Sequence, residues 1–320
     1  IEQLLHEFGR KNPHSTIQEV SISPKPLAQL VEPISIPLDA AIREKLKYKL
    51  ENRLSASALN LYLACPLSFY YRYVIGLKEE EVFQEKIEDS TLGNLVHESL
   101  KELYLPFVGM ELNKELLANM KKKSKDALTA QYKIQLNTVA VTGNHKLTFE
   151  VAKKFIEHQI EHDLADVKKG HKLVIKELEQ DHSCHVNLKI NDKLDVAFNL
   201  FGKIDRIDEF DGNIRIIDYK TGGTAAADVR NKKLEQLLEN KSPKSVQLML
   251  YKYMYWKNTG QEVDSGILSL KNISSGYLQL DKIDWQEDFE SLLKTIAHNL
   301  LVDSTELKHN SESKYCSFCN

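Results

Sequence analysis

FGKIDRIDEFDGNIRIIDYKTGG, residues 201–223, is the stretch from which the rest of this chain can be read. Two runs of alternating apolar and polar residues flank Asp211-Gly212. That dipeptide favours a two-residue β-hairpin turn, whose central positions need positive φ. With the turn centred there, residues equidistant from it face one another across the ladder. Ile207 then meets Ile216, Asp208 meets Arg215 as a cross-strand ion pair, and Asp205 meets Asp218. Opposed side chains share one sheet face, with Cβ atoms roughly 5 Å apart. Two carboxylates at that spacing repel unless a cation lies between them. Lys220, two residues beyond Asp218, falls on the same face by strand alternation. A β-bulge would shift this register.

Asp205, Asp218 and Lys220 are therefore expected on one patch. Carboxylates are hard oxygen ligands suited to Mg²⁺ or Mn²⁺, ions that accept phosphate oxygens and keep bound water. A lysine beside them suits the orientation of an attacking water or the stabilisation of developing negative charge. The competing reading of the same residues is a surface hairpin with ordinary salt bridges. Arg206 and Tyr219 fall on the opposite sheet face and read as structural. Thr221 and Gly222-Gly223 end the second strand.

Outward from the hairpin, the 320 residues allow one large domain or two small ones. Hydrophobic residues make up 42% and charged residues 28%, and the formal charge is −3, so any nucleic-acid contact must use local basic patches. No apolar run reaches the roughly 18 residues of a membrane span, and no signal peptide is visible. A cytoplasmic protein with no membrane partner is expected. Residues 1–53, with prolines at 13, 24, 26, 33 and 37, read as an extension or linker that ends in a charged helical pattern over 38–50. Ser55 or Ser57 can cap a following helix, and Pro66 can start another. TLGNLVHESLKELY (91–104) places Leu92, Val96, Leu100 and Leu103 on one helical face. Residues 105–170 read as a helical insertion, whose basic run Lys121–Lys123 is best taken as a solvated face. Strands are expected over 172–180, across 185–219, near 266–270 and near 277–283. SVQLMLYKYMYW (245–256) reads as a buried helix, and a last helix covers about 284–301. The fold class is α/β: a small mixed central sheet flanked by helices.

GKIDRID (202–208) followed by DYKTG (218–222) resembles the PD-(D/E)XK nuclease superfamily, and within it the RecB/AddB-type nuclease domains of bacterial DNA-end-processing helicase–nucleases. SASALNLYLACPLSFYYRY (55–73) is similar to that family's opening segment, GNLVHESL (93–100) to its first helix motif, and QLMLY (247–251) to its Q-x-x-x-Y motif. The resemblance covers residues 54–320. It implies a restriction-endonuclease-like core that hydrolyses DNA phosphodiester bonds as an exonuclease on single-stranded ends. It also implies a role in double-strand-break repair, with a helicase domain or subunit as partner. It carries metal ligation to His97, Asp205, Asp218 and the carbonyl of Tyr219. It carries catalytic roles to Asp205, Asp218, Lys220, Gln247 and Tyr251. An accessory acid is implied on the strand before the hairpin, at Glu177 or Glu179, with Glu177 preferred. No phosphate-binding G-x-x-x-x-G-K-[ST] loop occurs in the sequence.

Four cysteines occur, and without a secretory signal they read as thiols or metal ligands. The resemblance implies iron–sulfur ligands at Cys65, Cys316 and Cys319. A [4Fe–4S] cluster is expected in a longer parent whose fourth ligand lies beyond Asn320. Zinc or free thiols compete with that reading, and Cys184 does not fit the pattern. Two rival functions remain. One is a catalytically silent DNA-binding or scaffold domain of the same kind of complex, against which the complete motif argues. The other is a stand-alone nuclease, against which the long N-terminal extension and the absence of an initial Met argue.

Overall fold

The computed structural model describes residues 34–77, 89–136, 143–230, 233–280 and 284–310. The chain divides into two units, Ile1–Ile34 and Ser35–Asn320, and the second is the one described below.

The hairpin forms as its sequence requires. Strands β4 (Leu194–Phe210) and β5 (Asn213–Lys220) run antiparallel about Asp211 and Gly212, which take φ of 49° and 84°. Arg206 is registered with Ile217, Ile207 with Ile216, and Asp208 with Arg215. Asp208 Oδ1 accepts from Arg215 Nε at 2.9 Å, the expected cross-strand pair. Strand β3 (Leu173–Asn191) pairs antiparallel with the whole of β4, apart from a register shift between Ile175 and Glu177 and another near the turn. On the far side β5 pairs in parallel with β6 (Asp264–Ser269), which pairs antiparallel with β7 (Tyr277–Gln279). A two-residue strand, β2 (Leu54–Ser55), lies parallel to β4 at Leu200 and Phe201. The sheet is therefore mixed, as expected.

Helices cover both faces. On one lie α4 (Asp89–Tyr104), α5 (Lys114–Leu136) and α6 (Asn144–Lys169), whose apolar residues form a core with Leu173, Ile175, Ile217, Tyr219 and Leu268. On the other lie α2 (Ala56–Ala64), α3 (Pro66–Phe69), α7 (Leu234–Leu238), α8 (Pro243–Thr259) and α9 (Trp285–His298), packed on Phe198, Leu200, Ile204, Ile207 and Ile216. The local starts follow the sequence signals. Ser55 Oγ accepts from the Ala58 amide, and Pro66 takes the first position of α3, where its missing donor costs nothing. Helices α5 and α6 occupy the stretch read as a helical insertion. Its core is continuous with that of the sheet, because single helices of this polarity gain most of their stability from packing.

The expected linker differs over its last third. Asp39 caps α1 (Ala40–Glu51), accepting from the Ile42 amide at 2.7 Å. Leu46 and Leu50, at i and i+4, are fully buried in the sheet's second core. Strand β1 (Ser35–Pro37) pairs with β8 (Glu306–Lys308), and Arg43 donates to the carbonyls of Leu300 and Ser304. The prolines suggest an extended tether, but the i, i+4 leucines supply an apolar face that tertiary packing uses.

Candidate active site

The hairpin register carries the candidate acids to one end of β4 and β5. Asp205 Oδ2 accepts from the Tyr219 amide at 2.8 Å, which fixes its carboxylate against β5. Asp218, 2% exposed, lies 2.7 Å from Lys220 Nζ through Oδ2. Lys220 donates to Gln247 Oε1 at 2.9 Å, and Gln247 Nε2 donates to the Tyr251 hydroxyl at 2.8 Å. Gln247 and Tyr251 stand one turn apart on α8, so that helix buttresses the lysine. The close packing of α8 on β4 depends on Gly202, where a Cβ would come within 2.7 Å of the Tyr251 ring and 3.0 Å of Met254 Cε.

From the other face α4 brings His97. Its Nδ1 lies 3.1 Å from Glu179 Oε1 and 3.4 Å from Asp205 Oδ1, and its Nε2 is 3.2 Å from the Tyr219 carbonyl oxygen. His97, Glu179 and Asp205 each place a donor atom within 4.8 Å of the others. Burial works against the protonated imidazole, but Asp205 and Glu179 outweigh it and carry the His97 pKa up to about 11. Burial lifts the Asp218 carboxyl to about 6; Lys220 opposes that rise and Asp205 adds to it. Burial would lower the Lys220 ammonium, yet Asp218 keeps it above its usual value. Two causes combine: burial penalises charge on each of these groups, and the neighbouring carboxylates hold His97 and Lys220 in their protonated forms.

Within this cluster Glu179 is the acid nearest His97, while Asp218 pairs with Lys220. Glu177, the preferred accessory acid, does not enter the cluster; its Oε2 pairs with His182 Nε2 at 2.7 Å. Glu179 and Glu177 part company because Glu179 adopts a left-handed φ of 49°, so simple alternation fails there. With Leu178 registered on Arg206 and Gln180 on Ile204, Glu179 stands level with Asp205. That register could have identified Glu179 had the β3–β4 turn been located first. Lys203 and Glu98, which carry no motif of their own, also border the cluster. Lys203 Nζ is 2.8 Å from Glu179 Oε2 and 3.4 Å from Glu98 Oε1.

Arg206 and Tyr219 lie behind the site, as expected. The Arg206 guanidinium, wholly buried, donates to Asp163 Oδ2 of α6 at 2.8 Å, to Asp208 Oδ2 at 2.9 Å and to the Tyr219 hydroxyl at 3.1 Å. Tyr104 of α4 donates to the same Asp163 oxygen at 2.7 Å. The residue next to Asp205, the helix that carries His97, and α6 are thereby tied together.

Among the expected cluster cysteines, Cys65 is buried with its Sγ 3.7 Å from His309 Nδ1, while Cys316 and Cys319 lie outside the described residues. Cys184 is buried on β3.

The model of the PD-(D/E)XK nuclease superfamily matches residues 53–320. The chain belongs to this superfamily. Among its relatives is an ATP-dependent helicase/deoxyribonuclease subunit of the AddB type from Carboxydothermus hydrogenoformans, 31% identical over 202 residues, or 59% of this chain and 18% of the relative. The same subunit from Thermoanaerobacter sp. strain X514 is 24% identical over 292 residues, or 82% of this chain and 23% of the relative. This nuclease-superfamily chain thus spans about a fifth of the length of these curated relatives. A crystal structure from Eubacterium rectale, provisionally called an exonuclease, matches with a TM-score of 0.48 at 11% identity, covering 86% of this chain and 88% of its own. Among the described residues of this superfamily member, no helix is long and apolar enough to cross a membrane.

Proposed function

We propose that this chain is a Mg²⁺- or Mn²⁺-dependent deoxyribonuclease module, acting as an exonuclease on single-stranded DNA ends within a helicase–nuclease that processes double-strand breaks in the cytoplasm. The observation that carries the reading is the convergence of His97, Glu179 and Asp205, with Asp218 and Lys220 beside them. One imidazole and several carboxylates make a hard donor set that fits a divalent cation, and acids this close require positive charge between them. His97, Glu179 and Asp205 would hold the ion, with Asp218 and the Tyr219 carbonyl at its margin. The bound ion supplies an acidified water and a clamp for phosphate oxygens.

The chain's own groups do the remainder. The Tyr219 amide and the buried Arg206 network fix Asp205 in place. Asp218 and Gln247 hold the Lys220 ammonium in one position, aimed where negative charge grows on the scissile phosphate. Tyr251 orients the Gln247 amide so that its oxygen faces the lysine. The names of the relatives support a helicase partner and a DNA substrate.

The test is a cleavage assay on end-labelled single-stranded DNA with Mg²⁺ or Mn²⁺, run beside Asp218→Ala, and with Mn²⁺-soaked crystals. Cleavage should fall by about a thousandfold in the variant, and anomalous density should touch His97 and Asp205. Cleavage unaffected by the substitution, or density elsewhere, removes the mechanism. No cleavage by the intact chain under any divalent ion favours the silent scaffold.

A further inference from the structure

The β3–β4 hairpin extends well past the catalytic cluster, and its two faces differ in burial. Cys184, Val186, Leu188, Val196, Phe198 and Leu200 face the second core and are buried. The alternating set on the other face is exposed or half-buried: Ser183, His185 and Asn187 on β3, with Asn199, Phe201 and Lys203 on β4. A strand face that remains polar and open while its reverse packs a core is accessible to a ligand.

Two features of this face point to what it takes. Lys203 joins it to the site: its side chain is 42% exposed, and its ammonium touches Glu179 at 2.8 Å. Farther along, the exposed Arg53 lays its guanidinium carbon 3.9 Å from the centroid of the Phe201 ring. Phe201 lies four positions before Asp205 along the strand, about 13 Å. A cation beside the cluster followed by a stacked guanidinium–aromatic pair matches the needs of a single strand, whose phosphates seek positive charge and whose unpaired bases seek flat surfaces. Asp181, registered opposite Lys203, and Glu98 are the acids nearby, and Glu98 and Glu179 hold the lysine when no strand is present.

We propose that the open face of this hairpin is the track along which a single DNA strand extends from the catalytic cluster. Lys203 contacts a backbone phosphate next to the scissile bond, and the Arg53 guanidinium on Phe201 forms a platform for a base. The track rests on the proposed nuclease reading and adds to it the direction in which the strand extends and the groups that hold it. Neither group reads base edges, so the contact is tolerant of sequence.

The test uses the full chain and fluorescein-labelled oligothymidylate. Binding is followed by polarisation in EDTA at several salt concentrations, and cleavage is followed separately with Mg²⁺. Arg53→Gln, Phe201→Leu and Lys203→Gln are compared with Lys122→Gln, a control in the solvated basic run of α5. Thermal melting shows that each variant is folded. Arg53→Gln should weaken binding about tenfold. Lys203→Gln should flatten the dependence of log affinity on log salt by about one contact, and should raise KM more than it lowers kcat. Lys122→Gln should match the parent. Parent-like affinity and salt slope in Arg53→Gln and Lys203→Gln overturn the track, as does an equal loss in Lys122→Gln. Selective loss of binding in a chain that never cleaves DNA leaves the track standing and removes the nuclease reading.

Discussion

Glu179 and Glu177 show how two chemically identical side chains are sorted by one backbone angle. At φ of 49°, Glu179 is directed to His97, while Glu177 is taken by His182. Glu179→Gln should therefore weaken Mn²⁺ binding, read by calorimetry, by at least about tenfold, the scale of effects seen even for groups outside the ligand shell. Glu177→Gln should leave it unchanged. Equal effects of the two substitutions would show that the donor set is wrong. At Gly202 a single methyl group is enough to disturb the site. Gly202→Ala places a Cβ 2.7 Å from the Tyr251 ring, and that ring sets Gln247 and through it Lys220. The variant should lose about 1–3 kcal/mol of stability in urea titrations, the usual cost of overpacking, and should lose cleavage more than metal affinity. Retained cleavage would uncouple α8 from the lysine.

At the scale of elements, the Arg206 network joins α4, α6, β4 and β5 behind the site. Burial would raise the Asp163 carboxyl, but Arg206 outweighs it and holds that carboxyl well below its ordinary value. A carboxylate depressed on folding stabilises the fold fully above its unfolded pKa. Its contribution is lost as pH falls through the depressed value in the folded chain. Stability should thus decline as pH drops below about 4, the unfolded value of an aspartate. Asp163→Asn leaves the buried guanidinium with less compensating charge. It should cost about 3 kcal/mol at neutral pH, and its stability should depend less on acid than the parent's. Urea titrations from pH 3 to 7 read both effects, and identical pH profiles for parent and variant would show that Asp163 is not the group responsible.

At the scale of the molecule, the body of the second unit begins at Ser35, ahead of the position where the resemblance begins. Leu46 and Leu50 of α1 are wholly buried, each contributing roughly 2 kcal/mol. Chains starting at Ser35 and at Leu54 should therefore melt differently. The one starting at Leu54 should melt far lower or aggregate, because it exposes the patch that α1 covers. Equal melting of the two shorter chains would return α1 to the status of a tether.

The sequence alone determined the hairpin register, the mixed α/β architecture, the helix caps and the superfamily, because these depend on local rules: turn chemistry at Asp211-Gly212, period-2 alternation, and motifs in fixed order. It also placed Asp218 and Lys220, two residues apart on β5, on one strand face. Only the tertiary structure decided that Glu179 rather than Glu177 joins His97, that Lys220 draws Asp218 to itself, and that Lys203 pairs with Glu179. Each of these turns on a backbone irregularity or on contact between elements far apart in the chain, where the energy of packing and of opposed charges outweighs any preference that neighbouring residues can express.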